Sequence, residues 1–324
     1  MESSSSTIPV IDLRGSDELQ VQHQLVEACK EWGCFRLINH GVPIPLMHQM
    51  KGVVRSLLDL PAHVKARNVD VIAGSGYVPP NKDNPLYEAL GLYDVASPSA
   101  VDAFCSQLGA SPGEREVIEC YSRAVHGVVR EVAEKLGESM GVKKDEMEEW
   151  PWPCQFRINK YNFTHQTLTS SASGVCTHTD SGFLTLLQED DCVGGLEVMH
   201  KSSASFVAVH PSPGTFLINL GDIAAAWSNG IFYNVKHRVQ CKEAAVRVSI
   251  ALFLLGPKEA PVEPPPQILD SNNAQPRLYA PFTYEDYRKL RLSTGLRAGE
   301  ALQLLRLDHA PAAAAAPPPP PTTT

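Results

Sequence analysis

Three side chains in this sequence, His178, Asp180 and His237, are of the types and spacing that bind one metal ion. His178-Thr179-Asp180 stands just ahead of the strand-like run Phe183–Leu187. In extended chain, residues two apart point to the same side, so the imidazole and the carboxylate converge. His237 opens another strand-like run after the turn Ser228-Asn229-Gly230. Two imidazoles and one carboxylate form a facial ligand set that suits ferrous iron. Three coordination positions stay open, room for O2 and a chelating co-substrate. An isolated H-x-D also fits a structural histidine beside a turn aspartate.

Arg247 and Ser249 add a second feature, because they lie in the apolar run Val246 to Leu255. An unpaired buried cation is very costly, so Arg247 needs an anionic partner. The guanidinium fork matches a carboxylate in bidentate fashion. An Asp or Glu of the chain would serve; ten residues after a candidate metal histidine, a ligand carboxylate is favoured. Ala251 and Phe253 continue the face of Arg247 and Ser249. Arg157, Asn159 and Tyr161 are a third same-face set, lining either a cavity or a solvent-facing polar edge.

The elements that must position these residues follow from periodicity. Ile8–Leu13 reads as an opening strand, residues 17–32 as a helix ended by Gly33, Cys34–Ile38 as a strand and Leu46–Leu58 as a helix. Residues 74–98, rich in Gly, Pro, Asn and Asp, read as an irregular loop. Ser111-Pro112-Gly113-Glu114 is a capping box, and an apolar stripe from Val117 to Met140 follows it. From about residue 154, short β-branched and aromatic runs alternate with turns: Phe156–Tyr161, Phe183–Leu187, Leu196–Met199, Phe206–Val209, Thr215–Leu220, His237–Gln240 and Arg247–Leu255. This spacing predicts a sandwich or closed barrel. Residues 258–276 are a proline-rich connection, Thr283 to Leu307 looks helical, and residues 310–324 read as a disordered Ala/Pro tail.

The chain has 324 residues, enough for a substantial core in one large domain or two modest ones. The expected organisation is a supporting region over 1–150, a catalytic core over 151–257, a C-terminal connection with helices over 258–309, and the tail. With 36 acidic against 28 basic residues the net charge is −8, which argues against nucleic acid or an anionic membrane as the main partner. There is no run of 18 apolar residues and no secretory signal at Met1–Ser6. The eight cysteines are scattered without a C-x-x-C pair, as expected for reduced thiols in a cytoplasmic protein.

From Ile8 to about Leu307 the sequence resembles the plant 2-oxoglutarate- and Fe(II)-dependent dioxygenases. The resemblance rests on Ile8-Pro9-Val10-Ile11-Asp12-Leu13, Trp32-Gly33-Cys34-Phe35, Arg157-Ile158-Asn159-Lys160-Tyr161 and His178-Thr179-Asp180-Ser181-Gly182. It continues through Asn219-Leu220-Gly221-Asp222, His237-Arg238-Val239 and Arg247-Val248-Ser249. It implies a mainly β fold with flanking helices, a double-stranded β-helix or distorted jelly roll. It implies Fe(II) on His178, Asp180 and His237, with 2-oxoglutarate and O2 as co-substrates. Arg247 and Ser249 would hold the distal carboxylate of 2-oxoglutarate, helped by Tyr161 and Asn159. One departure is Asn162-Phe163-Thr164, where many relatives follow the tyrosine with two prolines and a cysteine.

Gly76-Tyr77-Val78-Pro79-Pro80, Pro85–Asp94 and Thr185–Asp190 resemble the auxin-oxidising branch. The implied reaction is indole-3-acetic acid to 2-oxindole-3-acetic acid; a gibberellin or phenolic substrate is the alternative. A small aromatic acid needs an apolar slot and one anchor. Phe163, Phe253 and Tyr77 are candidate walls, with barrel core the other reading of Phe253, and Arg157 is a candidate carboxylate anchor. Oxygen transfer requires no side-chain general base, and none is assigned.

Overall fold

The computed structural model describes residues 7–82, 84–144, 146, 152–169, 173–271 and 276–307. Its strands are β1 (Val10–Asp12), β2 (Cys34–Ile38), β3 (Tyr87–Tyr93), β4 (Cys154–Asn162), β5 (Ser173–His178), β6 (Leu184–Gln188), β7 (Leu196–Met199), β8 (Phe206–Ala208), β9 (Phe216–Leu220), β10 (His237–Gln240) and β11 (Val246–Leu254). One sheet has the order β1-β2-β9-β6-β11-β4-β3, the other β5-β10-β7-β8. Apart from the hairpin β7-β8, consecutive strands from β4 to β11 thus cross between the two sheets, the winding of a jelly roll. The N-terminal strands widen the larger sheet at both edges, β3 beside β4 and β2 beside β9.

The period of two decides which side of the larger sheet each residue covers. Phe156, Ile158, Leu186, Ile218, Ile250 and Leu252 face one way and join the core shared with the helices. Tyr161, Leu187, Leu217 and Ala251 face the other way and join a second core inside the roll, with Leu196, Val198 and Val239 of the smaller sheet. Near-continuous apolar strands are therefore expected, since both faces are covered.

The helices are α1 (Glu18–Glu31), α2 (Ile44–Leu58), α3 (Ala62–Lys65), α4 (Pro98–Leu108), α5 (Pro112–Ser139), α6 (His165–Thr169), α7 (Asp222–Trp227), α8 (Pro266–Ser271), α9 (Tyr284–Thr294) and α10 (Glu300–Gln303). The capping box of α5 forms as its sequence predicts, Ser111 accepting from the Glu114 N–H while the Glu114 carboxylate accepts from the Ser111 N–H at 2.8 Å. Such a cap contributes about 1 kcal/mol. The buried stripe Ile118, Val125, Val129, Val132 and Leu136 lays α5 along the sheet. Tyr121 fastens it, its hydroxyl donating to Gln188 Oε1 on β6 at 2.6 Å. None of the helices among the described residues is long and apolar enough to cross a membrane.

Three expectations are corrected. Residues 74–98 are not all loop: Tyr87–Tyr93 is β3, paired along its length with β4. Its pattern was obscured by Gly91, where a Cβ would come within 1.7 Å of the Ser75 carbonyl oxygen. The preceding loop passes so close over the strand that only glycine fits. Thr283 to Leu307 is not one helix either. Gly295, at φ +70, caps α9 in the left-handed region and the chain turns before α10. Finally, the H-x-D stands just ahead of β6 as expected but is not all extended chain: His178 ends a separate strand, β5, and Asp180 lies in the turn between β5 and β6. The eight cysteines are free. Residues 310–324 lie outside the described residues.

Candidate metal centre

β5 and β10 pair antiparallel with His178 directly opposite His237. This register brings together two histidines 59 positions apart in the chain, with ring centroids 4.1 Å apart. Asp180 follows in the turn, its Oδ1 3.7 Å from His178 Nε2 and 3.6 Å from His237 Nε2. The three donor atoms all lie within 4.8 Å of one another.

Both rings are oriented from behind. His178 Nδ1 lies 2.9 Å from the Cys176 carbonyl and His237 Nδ1 3.2 Å from the Val235 carbonyl. A carbonyl only accepts, so each Nδ1 carries a proton, and each Nε2 is left directed toward the point that Asp180 also faces. Burial, and then the neighbouring His237, push the His178 imidazole down to about 4, so it stays neutral and ready to ligate. Burial opposes the charge on Asp180, yet the two imidazoles and a hydrogen bond hold its carboxyl below the usual range. That bond comes from Thr185 Oγ1 on β6 to Asp180 Oδ2, at 2.6 Å. Two imidazole Nε2 atoms and an oriented carboxylate within reach of one point fit a divalent iron ion.

Thr185→Val keeps the side-chain volume and removes this bond. Metal affinity is expected to fall about 10–100-fold, the usual cost of losing an outer hydrogen bond to a ligand. Ferrous titration of the variant checks this; unchanged affinity would leave Asp180 oriented by its backbone alone.

The turn that carries Asp180 is itself held by a buried cluster. Asp222 accepts from Thr179 Oγ1 at 3.1 Å, Asn234 Nδ2 at 2.6 Å, Tyr287 Oη at 2.5 Å and Arg291. Tyr287 and Arg291 belong to α9, so the C-terminal helix is bolted to the residue between the two ligands. In the sequence Asp222 is only the last residue of the motif Asn219-Leu220-Gly221-Asp222. Its role was hidden because its partners come from distant segments.

The sheet register also assembles the cationic end of the site. On β11 and β4, Arg247 lies opposite Tyr161, and Ser249 opposite Asn159. Arg247 is 1% exposed and stacks over Tyr161, its Cζ 5.1 Å from the ring centroid. Its hydrogen bond to Ser249 Oγ is long, 3.4 Å, and its Nε has no partner. No carboxylate among the described residues forms an ion pair with it. Asn159 donates weakly to Ser249 Oγ at 3.4 Å and accepts from Tyr87 Oη at 2.8 Å. A buried guanidinium with no carboxylate in direct contact is the arrangement of a site built for an anionic ligand.

The four candidate substrate contacts separate. Phe163 is buried inside the roll, its ring centroid 5.9 Å from that of Tyr161. Phe253 pairs in register with Thr185, which puts it on the face of the sheet that carries the Asp180 bond. Tyr77 lies on the opposite side: it packs with the helix-facing core, and its hydroxyl donates to Glu88 Oε1 at 2.6 Å. Arg157 shares the inner face, but its guanidinium is bound to the carbonyls of Gly74 and Gly76. The structure thus brings together seven of the predicted residues at the metal and cationic ends, and takes Tyr77 away from them.

The winding of the strands and the His-Asp-His cluster define an iron- and 2-oxoglutarate-dependent oxygenase, and the chain belongs to the 2OG-Fe(II) oxygenase superfamily. Residues 152–256 match that family, and residues 8–88 match the family described as non-haem dioxygenase in morphine synthesis N-terminal. The chain is 52% identical over 301 residues to 2-oxoglutarate-dependent dioxygenase DAO of rice (Oryza sativa), covering 92% of this chain and 98% of the relative. It superposes on the crystal structure of rice dioxygenase for auxin oxidation with a TM-score of 0.83, at 50% identity, over 93% of this chain and 100% of the other. The Arabidopsis thaliana dioxygenase for auxin oxidation 1 in its 2-oxoglutarate complex gives a TM-score of 0.79 at 51% identity, over 83% and 100% of the two chains. The protein is therefore a 2-oxoglutarate-dependent dioxygenase that uses Fe(II), 2-oxoglutarate and O2.

Proposed function

We propose that this chain inactivates auxin by oxidising indole-3-acetic acid to 2-oxindole-3-acetic acid. The observation that carries the reading is the 52% identity to rice DAO across nearly the whole of both chains. A rice gibberellin 2-beta-dioxygenase matches at only 30%.

In this reading His178, Asp180 and His237 hold the iron. Arg247, with Ser249, Tyr161 and Asn159 around it, holds the far carboxylate of 2-oxoglutarate. When bound, iron supplies the oxidation of substrate by O2, coupled to decarboxylation of 2-oxoglutarate to succinate and CO2. The chain's own work is orientation and exclusion of water. The Nδ1 contacts keep both imidazoles aimed at one point, and Thr185 fixes the carboxylate. Leu187, Leu217, Val239 and Ala251 keep the interior of the roll apolar, which strengthens the pairing of Arg247 with its anion. In the same reading Phe163 and Phe253 flank a small aromatic substrate, supported by their positions on the inner face of the roll. No side chain acts as a general base. Eight free thiols suit a reducing, cytoplasmic location.

The test is product mass spectrometry with purified protein, Fe(II), 2-oxoglutarate and a panel of indole, gibberellin and phenolic acids. A gain of one oxygen on indole-3-acetic acid, with stoichiometric succinate, is expected. Turnover of a gibberellin or phenolic without the indole acid would overturn the auxin reading in favour of the alternative.

A further inference from the structure

A cavity of about 520 Å³ opens beside His178, and its lining includes Arg288, Arg291 and Arg297. Among the described residues that line it there is no carboxylate. The lining itself is basic in a chain whose net charge is −8, although Glu285 and Asp222 pair with two of its arginines from outside it. A cleft lined by one sign of charge concentrates ligands of the other.

Two of the three guanidinium groups are already occupied. Arg288 pairs with Glu285 at 3.0 Å and donates to the Ala73 carbonyl. Arg291 binds Asp222 and donates to the Thr179 carbonyl at 2.8 Å. Arg297 differs. Its carbonyl receives the Thr179 N–H at 2.9 Å and Arg291 Nη2 at 3.1 Å, which pins its backbone against the residue between the two ligands. Its side chain is exposed and forms no hydrogen bond or ion pair with the described residues. The guanidinium is thus free, at the cavity that reaches His178, on a backbone that cannot drift away. Arg157, the anchor expected from sequence, has its fork on two backbone carbonyls instead.

We infer that Arg297 is the specificity-determining anchor for the substrate's carboxylate, and that the arginine-lined mouth selects small organic acids over their neutral analogues. The inference rests on the oxygenase reading of the His178 site and deepens the proposed function, but it does not depend on the indole ring.

The experiment compares indole-3-acetic acid with indole-3-acetamide, scored by succinate release, in the wild-type chain, Arg297→Ala and Arg297→Lys. Loss of one charge-assisted hydrogen-bonded contact is expected to lower the acid-over-amide ratio of kcat/KM about tenfold or more in Arg297→Ala. The loss should appear in KM for the acid, with Arg297→Lys recovering part of it and added salt weakening the wild-type preference. A residue that only supports the fold would lower both substrates alike, and that outcome overturns the inference. So does a wild-type enzyme indifferent to acid and amide. If the wild type ignores indole-3-acetic acid but oxidises another acid, the auxin reading falls; the same ratio measured with that acid and its amide then decides for or against Arg297.

Discussion

Arg247→Met is expected to raise the KM for 2-oxoglutarate by about 30-fold or more, while the ligand-free chain becomes no less stable and gains up to about 4 kcal/mol. The two effects have one cause. Arg247 is buried with an unpartnered Nε and without a carboxylate partner among the described residues. In the ligand-free chain it has no ion pair of its own and feels only the Glu189 carboxylate, which is paired with Arg36, and a buried charge so poorly matched costs stability. Its compensation arrives with the co-substrate. Methionine fills a similar volume without the charge, so the fold is relieved and the ligand loses its partner. Thermal unfolding with and without 2-oxoglutarate reads both halves. Saturating 2-oxoglutarate should raise the wild-type Tm by linkage and raise that of the variant by much less. A variant that unfolds several degrees earlier yet keeps its KM would make Arg247 a structural residue and remove it from the co-substrate site.

The second large effect is at the metal. His237→Ala is expected to lower turnover by more than about 10³-fold and to abolish tight ferrous binding, because losing a ligand must exceed the 10–100-fold cost of losing a ligand's support. His237 is also structural, since its backbone pairs β10 with β5 and β7. Those are main-chain bonds, which alanine retains, so the variant should fold. Iron content after anaerobic loading and circular dichroism separate loss of metal from loss of structure. A folded variant that still binds iron and releases succinate would dissolve the proposed ligand set.

The chemistry was legible in the sequence wherever it obeyed a local period. Arg247 and Ser249, or Asn159 and Tyr161, are two apart, and strand alternation alone places each pair on one face. Which face meets which is a long-range matter. Tyr77 shows the limit: it stands among aromatic and proline residues that resemble a pocket wall, yet the loop that carries it passes to the helix side, where Glu88 accepts its hydroxyl bond. Arg157 shows another, since a free side chain and one engaged by two distant carbonyls read identically in a sequence. The arginines of α9 and of the turn beyond it were missed for a related reason: on a polar helix, basic residues read as a solvated face.

The sequence by itself determined the ligand types, the apolar strand that makes a buried arginine conspicuous, and the succession of short strands that must wind into a roll. These depend on side-chain chemistry and on the twofold period of extended chain. Only the tertiary structure decided that His178 would face His237 across β5 and β10, that Arg247 would meet Tyr161, and that Arg297 would be pinned beside Thr179. Those are contacts between segments tens of residues apart. Strand register and chain closure set them, and both are properties of the whole packed core rather than of any local stretch.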